Sequence, residues 1–371
     1  MDSSKETQDT SSSTMPRSQS SDAFRPPRLI DSTSEMPANE AITITQYLLK
    51  ESAEFRRVSE LREKGWKNPN GDTFFKDQRQ AADNATNKTA KIFFDLMKKI
   101  GEELHQSTNA FDISATRPKI LDMCMAPGGF LATALRKNPR AEALAFSLPV
   151  SEGGHKVLLS PSPNVVKKFL DVTMLAADMG DDVIPTDHPD AGRFLPRQFH
   201  PNQLFDLVLC DGNVLRTHER ASYREKREAQ RLIVSQLSLG LEHLRPGGTM
   251  IVLLHKLERL NTADLLRTFS KFSSVRAVKP EKGHRIRSSF YMVATNVQSQ
   301  HADAIKAIKD WKASWKVATF GTDEEYEQFI RYDEESVEGL LAEFGPDLVS
   351  LGRQVWKVQA DALSKASFIT N

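Results

Sequence analysis

The sequence lacks most of the features that would place it in a specialised class of protein. It contains only two cysteines, Cys124 and Cys210, and both lie inside apolar runs, which argues against a disulfide framework or a zinc site. It has no run of about 18 apolar residues that could cross a membrane, and no basic-then-apolar signal at its amino terminus. These absences predict an intracellular, soluble protein of the cytoplasm or the nucleus, with no metal.

The chain also lacks an excess of charge of either sign. Its 50 lysines and arginines stand against 49 aspartates and glutamates, for a formal net charge of +1. A protein that binds nucleic acid through a global basic field would carry a clear surplus of positive charge. Any nucleic-acid partner must therefore bind to a local patch.

The pattern of residues divides the 371-residue chain into four segments. Residues 1–40 have almost no apolar periodicity and are predicted to be a disordered tail. Residues 41–110 and 299–371 carry apolar residues at helical intervals and are predicted to be helical extensions. Residues 111–298 alternate short apolar strands with helices, which predicts an α/β domain with a mostly parallel, doubly wound sheet. The predicted strands are 119–124, 143–148, 168–172, 205–210, 250–254 and 290–295, and the clearest helices are 75–104, 223–244 and 262–272.

The first predicted strand runs into a glycine turn, and a helix follows. The turn consists of Ala126, Pro127, Gly128, Gly129 and Phe130. Glycines let the backbone approach a ligand closely, and the start of a helix offers unpaired N–H groups. The turn has neither the G-x-G-x-x-G spacing of a dinucleotide site nor the Gly-Lys-Ser/Thr of a P-loop. A smaller, cationic ligand without phosphates fits better; alternatively, the glycines serve close packing alone.

Two later stretches make this pattern specific. The predicted strand 205–210 ends in Asp211, and the stretch Leu244-Arg245-Pro246-Gly247-Gly248 joins a helix end to another buried strand. Together with the glycine turn and residues 279–295, they resemble the FtsJ-like ribose 2′-O-methyltransferases over roughly residues 89–296. The resemblance implies a Rossmann-like class I methyltransferase core, S-adenosylmethionine as cofactor, and RNA binding with methylation of ribose 2′-hydroxyls.

The resemblance also implies which residues form the site. The family places a Lys-Asp-Lys-Glu tetrad around the acceptor hydroxyl, where a lysine with a lowered pKa can act as base. The candidate catalytic residues here are Lys91 (with Lys88 as its alternative), Asp211, Lys256 and Ser289. The candidate cofactor-binding residues are Asp122, Ala126, Pro127, Gly128, Gly129, Phe130 and Asp171.

Two tetrad positions depart from the family. The simplest alignment puts Leu253 at the second lysine position, so Lys256 fits only if the strand is longer or carries a bulge, and His255 is an alternative base beside it. Ser289 stands where the family has Glu, and a serine contributes no negative charge. These departures leave two other interpretations open, a methyltransferase of a different acceptor and a degenerate RNA-binding or scaffold protein.

Two basic clusters are candidates for binding RNA phosphates. The first basic cluster follows Asp211 and consists of Arg216, Arg220, Arg224, Lys226, Arg227 and Arg231. It is interspersed with three glutamates, so a solvated, self-paired helix face is an equal alternative. The second basic cluster precedes the last strand and consists of Lys279, Lys282, His284, Arg285 and Arg287. It contains a single acid, Glu281, and is the better phosphate candidate.

Overall fold

The computed structural model of the protein describes residues 38–71, 73, 74, 76, 87–331 and 334–370. The first 37 residues of the tail predicted at 1–40 lie outside these ranges. So do residues 77–86 of the helix predicted at 75–104. Among the described residues, no helix is long and apolar enough to cross a membrane.

Seven strands form one mixed sheet in the order β3-β2-β1-β4-β5-β7-β6. The strands are β1 (Lys119–Asp122), β2 (Glu142–Ser147), β3 (Val165–Phe169), β4 (Phe205–Cys210), β5 (Leu244–His255), β6 (Ser274–Val278) and β7 (Ser289–Val297). Strands β1 to β5 are parallel to one another, and β7 runs antiparallel to both β5 and β6. The predicted Rossmann-like α/β fold is confirmed. In such a sheet the carboxyl ends of the parallel strands meet at one edge, where ligands bind.

Helices cover both faces of the sheet. They are α1 (Ala38–Glu51), α2 (Ala53–Lys67), α3 (Asn87–Thr108), α4 (Gly129–Lys137), α5 (Glu228–Glu242), α6 (Leu260–Ser270), α7 (Ala302–Phe320), α8 (Asp323–Phe329), α9 (Glu334–Leu363) and α10 (Ser367–Thr370). Strand side chains alternate between the faces. Leu207 and Leu209 of β4 therefore join a core with α3 and α4, whereas Val208 and Cys210 join a larger core with the remaining helices.

The outer strands differ most from the sequence prediction. The third strand was predicted at 168–172, but β3 covers Val165–Phe169, because Asp171 instead caps the turn that follows it. Strand β6 was not predicted. Both β3 and β6 lie at sheet edges with partly solvated faces, so neither presents the continuous apolar run that marks a buried parallel strand. The helix predicted at 223–244 begins only at Glu228.

The amino- and carboxyl-terminal helices pack on each other as well as on the core. Phe55 of α2 meets Trp356 of α9 edge-to-face, with ring centroids 5.0 Å apart. Both rings are almost fully buried. Helix α2 begins at a cap in which the Ser52 hydroxyl accepts a hydrogen bond from the Phe55 N–H at 3.1 Å. Helices α2 and α9 thus share one packed unit.

Arg62 of α2 ties this unit to the loops beside the carboxyl edge of the sheet. Its guanidinium lies 2.7 Å from Glu258 Oε1, in the loop after β5, and donates to Gln359 Oε1 of α9 at 2.7 Å. Gln359 in turn donates to the backbone carbonyl of Ile286, in the loop before β7, at 3.3 Å. Both extensions therefore hold loops that belong to the core.

Candidate functional site

A cavity of about 250 Å³ opens at the carboxyl edge of the sheet. Its walls come from the segments that follow β1, β2, β3 and β4, together with α3 and α5. The residues that line it include Met97, Met123, Cys124, Ala126, Ser147, Leu148, His155, Leu170, Asp171, Val172, Asp211, Asn213, His218 and Leu232. Most of the wall is apolar, and the lining described here contains carboxylates but no lysine or arginine.

The two glycines of the turn have different roles. Gly128 has φ of +106°, a conformation that favours glycine. Gly129 starts α4 with negative φ, but a Cβ there would lie 2.4 Å from the backbone oxygen of Phe94 and 2.6 Å from Met97 Cβ. Gly129 therefore lets α3 cross closely over α4. For this residue the structure supports the packing interpretation of the turn.

The other predicted cofactor residues fall into two groups. Ala126 and Asp171 line the cavity directly. Asp122 and Phe130 are buried and are not among the residues that line the cavity. Asp122 accepts a hydrogen bond from the Cys124 N–H at 3.2 Å. Pro127, which follows a cis peptide bond, uses its carbonyl to accept from the Leu158 N–H at 2.9 Å.

Asp211 lies where β4 ends, half-buried in the cavity wall. The hydroxyl of Tyr291, on β7, donates a hydrogen bond to Asp211 Oδ1 at 2.8 Å. Burial raises the pKa of Asp211 to about 7, although the hydrogen bond from Tyr291 lowers it. A carboxylate with a pKa near neutrality can accept a proton during a reaction and release it afterwards.

Ser289, the fourth predicted catalytic residue, reaches Asp211 only through other side chains. Its hydroxyl lies 2.7 Å from His284 Nδ1, and His284 Nε2 lies 3.4 Å from the Tyr291 hydroxyl. The backbone carbonyl of Ser289 accepts a hydrogen bond from Lys279 Nζ at 2.6 Å. Ser289 is thus part of a polar network that ends on Asp211.

Neither predicted catalytic lysine forms a hydrogen bond or ion pair with Asp211 in the part of the chain that the structure describes. Lys91 is exposed on α3. Lys256 follows β5 with φ of +48° and is half-buried, and burial together with Arg259 lowers its pKa. Strand β5 does extend beyond the predicted 250–254, to His255, and Leu253 is buried within it. His255 is exposed and lies 3.3 Å from the side-chain oxygen of Asn213.

A buried ionic cluster borders the other end of the cavity. Asp171, His218 and Glu228 bring potential metal-ligand atoms within 4.8 Å of one another. Arg224 lies among them: its Nη2 donates to Asp171 at 2.6 Å and to Glu228 at 2.7 Å. Arg224 is fully buried, so its guanidinium supplies the positive charge that these carboxylates require.

The structure corrects the interpretation of the first basic cluster. Arg224, Arg227 and Arg231 are all buried, so these three cannot form a phosphate-binding face, nor are they solvated. They make internal ion pairs, such as Arg231 with Glu228 at 3.1 Å. In the second basic cluster Lys279 is buried, but its later members Lys282, Arg285 and Arg287 are exposed.

We expect Asp122→Asn to flatten the pH dependence of stability. Burial and nearby Asp211 raise the pKa of Asp122 to about 8, against an opposing hydrogen bond from Cys124. The unfolded chain ionises this carboxyl near pH 4, whereas the folded chain keeps it protonated until about pH 8. The wild-type free energy of unfolding should therefore fall across this window, by about 1.4 kcal/mol at most for each unit of pKa difference.

Chemical unfolding at pH 5 and pH 8.5 would measure this effect. Asn keeps the oxygen that accepts from Cys124, so Asp122→Asn should lose less stability than wild type on going to pH 8.5. The exposed substitution Asp112→Asn is the control. Equal pH slopes in all three proteins would show that Asp122 ionises normally in the fold.

Sequence reasoning missed three side chains of this site: Tyr291, His284 in its network role, and Arg224 as an internal cation. Tyr291 carried one available signal, because it lies two residues beyond Ser289 and so points to the same face of a strand. Nothing local distinguishes His284 or Arg224 from the surface cations around them. Their partners come from distant segments.

Comparison with known proteins gives a family and several structural likenesses. The model of the family described as FtsJ-like methyltransferase matches residues 100–297. A protein described as a ribosomal RNA methyltransferase from Plasmodium falciparum is similar at 17% identity, over 54% of this chain and 96% of that one, with a TM-score of 0.36. An O-methyltransferase family protein from Burkholderia thailandensis is similar at 12% identity, over 73% and 75%, with a TM-score of 0.33. Human methyltransferase-like protein 13, solved with SAH, is similar at 11% identity, over 65% and 92%, with a TM-score of 0.31.

The family match covers the strands, the glycine turn and Asp211, and it spans more than half of the 371 residues. It confirms the family and the cofactor class that the sequence predicted. The protein belongs to the FtsJ-like methyltransferases, a family that depends on S-adenosylmethionine.

Proposed function

We propose that this protein transfers a methyl group from S-adenosylmethionine to the 2′-oxygen of an RNA ribose, with Asp211 as the general base. The observation that carries this proposal is the position of Asp211. Its carboxylate lines the cavity, accepts a hydrogen bond from Tyr291 and has a pKa of about 7. A base with a pKa close to the working pH transfers protons most effectively.

The lining of the cavity fits the cofactor. Met123, Leu148, Leu170 and Val172 offer an apolar surface for a planar base. The described lining has no lysine or arginine that would favour phosphates. When bound, S-adenosylmethionine supplies a methyl group on a sulfonium sulfur, which an oxygen nucleophile can take while a neutral thioether leaves.

The residues of this chain supply the remaining chemistry. Asp211 takes the proton from the acceptor hydroxyl, which leaves the oxygen free to form its bond to carbon. Tyr291 donates a hydrogen bond to Asp211 Oδ1 and favours the ionised form of the carboxyl, since this hydrogen bond opposes the effect of burial. The half-buried Lys256 contributes positive charge from the end of β5.

The RNA acceptor is supported by the resemblance and by the second basic cluster. Lys282, Arg285 and Arg287 are exposed in the loop between β6 and β7. The same loop carries His284, which is connected to Asp211 by two successive hydrogen bonds through Tyr291. Cations at this position can neutralise the phosphates on either side of an acceptor ribose.

A second candidate function is methylation of a different acceptor. It is favoured by the two departures from the tetrad: Leu253 is buried in β5 at the simplest lysine position, and the Ser289 hydroxyl is engaged with His284. A carboxylate base that has no hydrogen bond or ion pair to a lysine among the described residues can serve another hydroxyl or an amine.

The test is methyl transfer by the full chain. RNA fragments and DNA of the same sequence would be incubated with methyl-labelled S-adenosylmethionine, and nuclease digests analysed for 2′-O-methylnucleosides. We expect label in RNA and none in DNA. Calorimetry with Leu148→Arg, which places a charged chain in the cavity, should show loss of cofactor binding. Label on bases or protein would favour the second candidate, and a folded chain that binds no cofactor would overturn both.

A further inference from the structure

We propose that His284 is a positioning residue that acts through Tyr291 to orient the base Asp211, and that Ser289 holds His284 in the hydrogen-bonded chain. The role in catalysis rests on the proposed function above. The effect on the Asp211 carboxyl does not, because it can be measured without any acceptor.

The geometry is a chain of four side chains from three segments. The Ser289 hydroxyl lies 2.7 Å from His284 Nδ1, His284 Nε2 lies 3.4 Å from the Tyr291 hydroxyl, and that hydroxyl donates to Asp211 at 2.8 Å. The rings of His284 and Tyr291 meet edge-to-face, with centroids 5.2 Å apart. Ser289 and Tyr291 are both almost fully buried.

The chemistry of the groups gives this chain one direction. A neutral imidazole has one N–H and one acceptor nitrogen. Ionised Asp211 can only accept, so the one hydrogen of Tyr291 points to Asp211. The Tyr291 oxygen can then only accept from His284, which puts the imidazole proton on Nε2. Nδ1 is left as the acceptor of the Ser289 hydroxyl.

The surroundings of His284 keep it neutral, as this arrangement requires. Burial, together with the nearby charges of Lys279, Arg287 and His255, lowers the pKa of His284 to about 3, and burial has the largest effect. On the far side of Tyr291, the carboxyl of Asp211 faces Asp122, whose pKa is also raised. The imidazole is thus a hydrogen-bonding group in this site and carries no charge at neutral pH.

The loop that carries His284 is anchored on both sides. Gly283 has φ of +72°, and a Cβ there would lie 3.1 Å from Leu96 Cδ2 of α3. The Glu281 N–H donates to Glu103 Oε2 of α3 at 2.7 Å. Lys279 Nζ donates to the backbone carbonyl of Ser289 at 2.6 Å. These contacts hold the imidazole against Tyr291 without help from a ligand.

The first measurement is the pKa of Asp211 in the full chain. Carboxyl-¹³C aspartate would be titrated by NMR, with Asp211→Asn to assign the signal. Losing a hydrogen bond to the charged form raises a carboxyl pKa, so we expect an increase of about one unit in Tyr291→Phe. We expect the pKa of Asp211 to rise by about half a unit in His284→Leu, because this change acts on the carboxyl only through Tyr291. His284→Gln, whose amide can still donate to Tyr291, should stay close to wild type.

The second measurement is the pH profile of methyl transfer. In His284→Leu the acid limb should move to higher pH by the same amount, with kcat lowered and the KM for cofactor unchanged. The control His200→Leu changes an exposed histidine at the opposite edge of the sheet and should change neither readout.

An unchanged Asp211 pKa in both His284→Leu and Tyr291→Phe would overturn the proposal. If His284→Leu and His284→Gln raise the pKa of Asp211 and lower kcat by equal amounts, the proposal is also overturned. That result would indicate that the loop needs histidine for packing alone. If no acceptor is methylated by the wild type but the NMR shifts occur, the proposed function fails and the positioning of Asp211 by His284 stands.

Discussion

Asp211→Asn should lower the rate of methyl transfer by about 10²–10⁴-fold, the usual contribution of a general base. The amide keeps the size of the side chain and can still accept the hydrogen bond from Tyr291. It cannot take up a proton at neutral pH. The loss should therefore be in kcat, and the calorimetric affinity for S-adenosylmethionine should change by no more than about twofold.

The control for Asp211→Asn is an exposed aspartate far from the cavity. Asp347→Asn makes the same chemical change on the exposed side of α9 and should leave both quantities unaltered. If Asp211→Asn keeps wild-type kcat, another group accepts the proton, and the half-buried Lys256 would be the next candidate. If it loses cofactor binding instead, Asp211 belongs to the cofactor site.

The second large effect concerns stability. Arg224→Leu should lower the free energy of unfolding by about 3–5 kcal/mol, as expected when one partner is removed from a buried ion cluster. Burial alone would raise the pKa of Asp171, but Arg224, Arg231 and His218 more than offset it, so this pKa lies below its usual value. Without Arg224, two buried carboxylates, Asp171 and Glu228, lose their closest cation.

The pH dependence of this stability loss distinguishes lost charge pairing from lost packing. A carboxyl with a lowered pKa stabilises the fold above its unfolded value and loses that contribution as pH falls through its folded value. The deficit of Arg224→Leu should thus be largest at neutral pH and shrink as the pH falls below about 4 and Asp171 takes up a proton. Urea unfolding at pH 7 and about pH 3, with the exposed Lys226→Leu as control, measures the change in this deficit. A deficit independent of pH would indicate lost packing.

The sequence predicted those parts of the site that depend on neighbours along the chain. The glycine turn follows a buried strand, and Asp211 follows another, so the parallel arrangement brings both to one edge of the sheet. The same reasoning failed for Arg224. Its local context of alternating acids and bases is that of a solvated helix face, and only contact with Asp171, more than 50 residues away, makes it an internal cation.

The hydrogen-bond network around Ser289 could not be predicted from the sequence either, because it also depends on contacts between distant segments. The absence of Glu at that position was visible, but His284, the side chain that Ser289 contacts, comes from a loop whose position depends on α3. The edge strand β6, which leads into this loop, has no local signal strong enough to predict it. Histidine among arginines indicates a phosphate patch until its neighbours in space are known.

The contacts of Arg62 with Glu258 and Gln359 join residues inside the family match to residues outside it. Residues 100–297 carry the family likeness, yet Arg62 and Gln359 lie outside that segment, one on each side of it. The segment that matches the family and the segment that these contacts hold in place are therefore different lengths of chain. Transplanting residues 100–297 alone into another protein would leave the loops after β5 and before β7 without the contacts from Arg62 and Gln359.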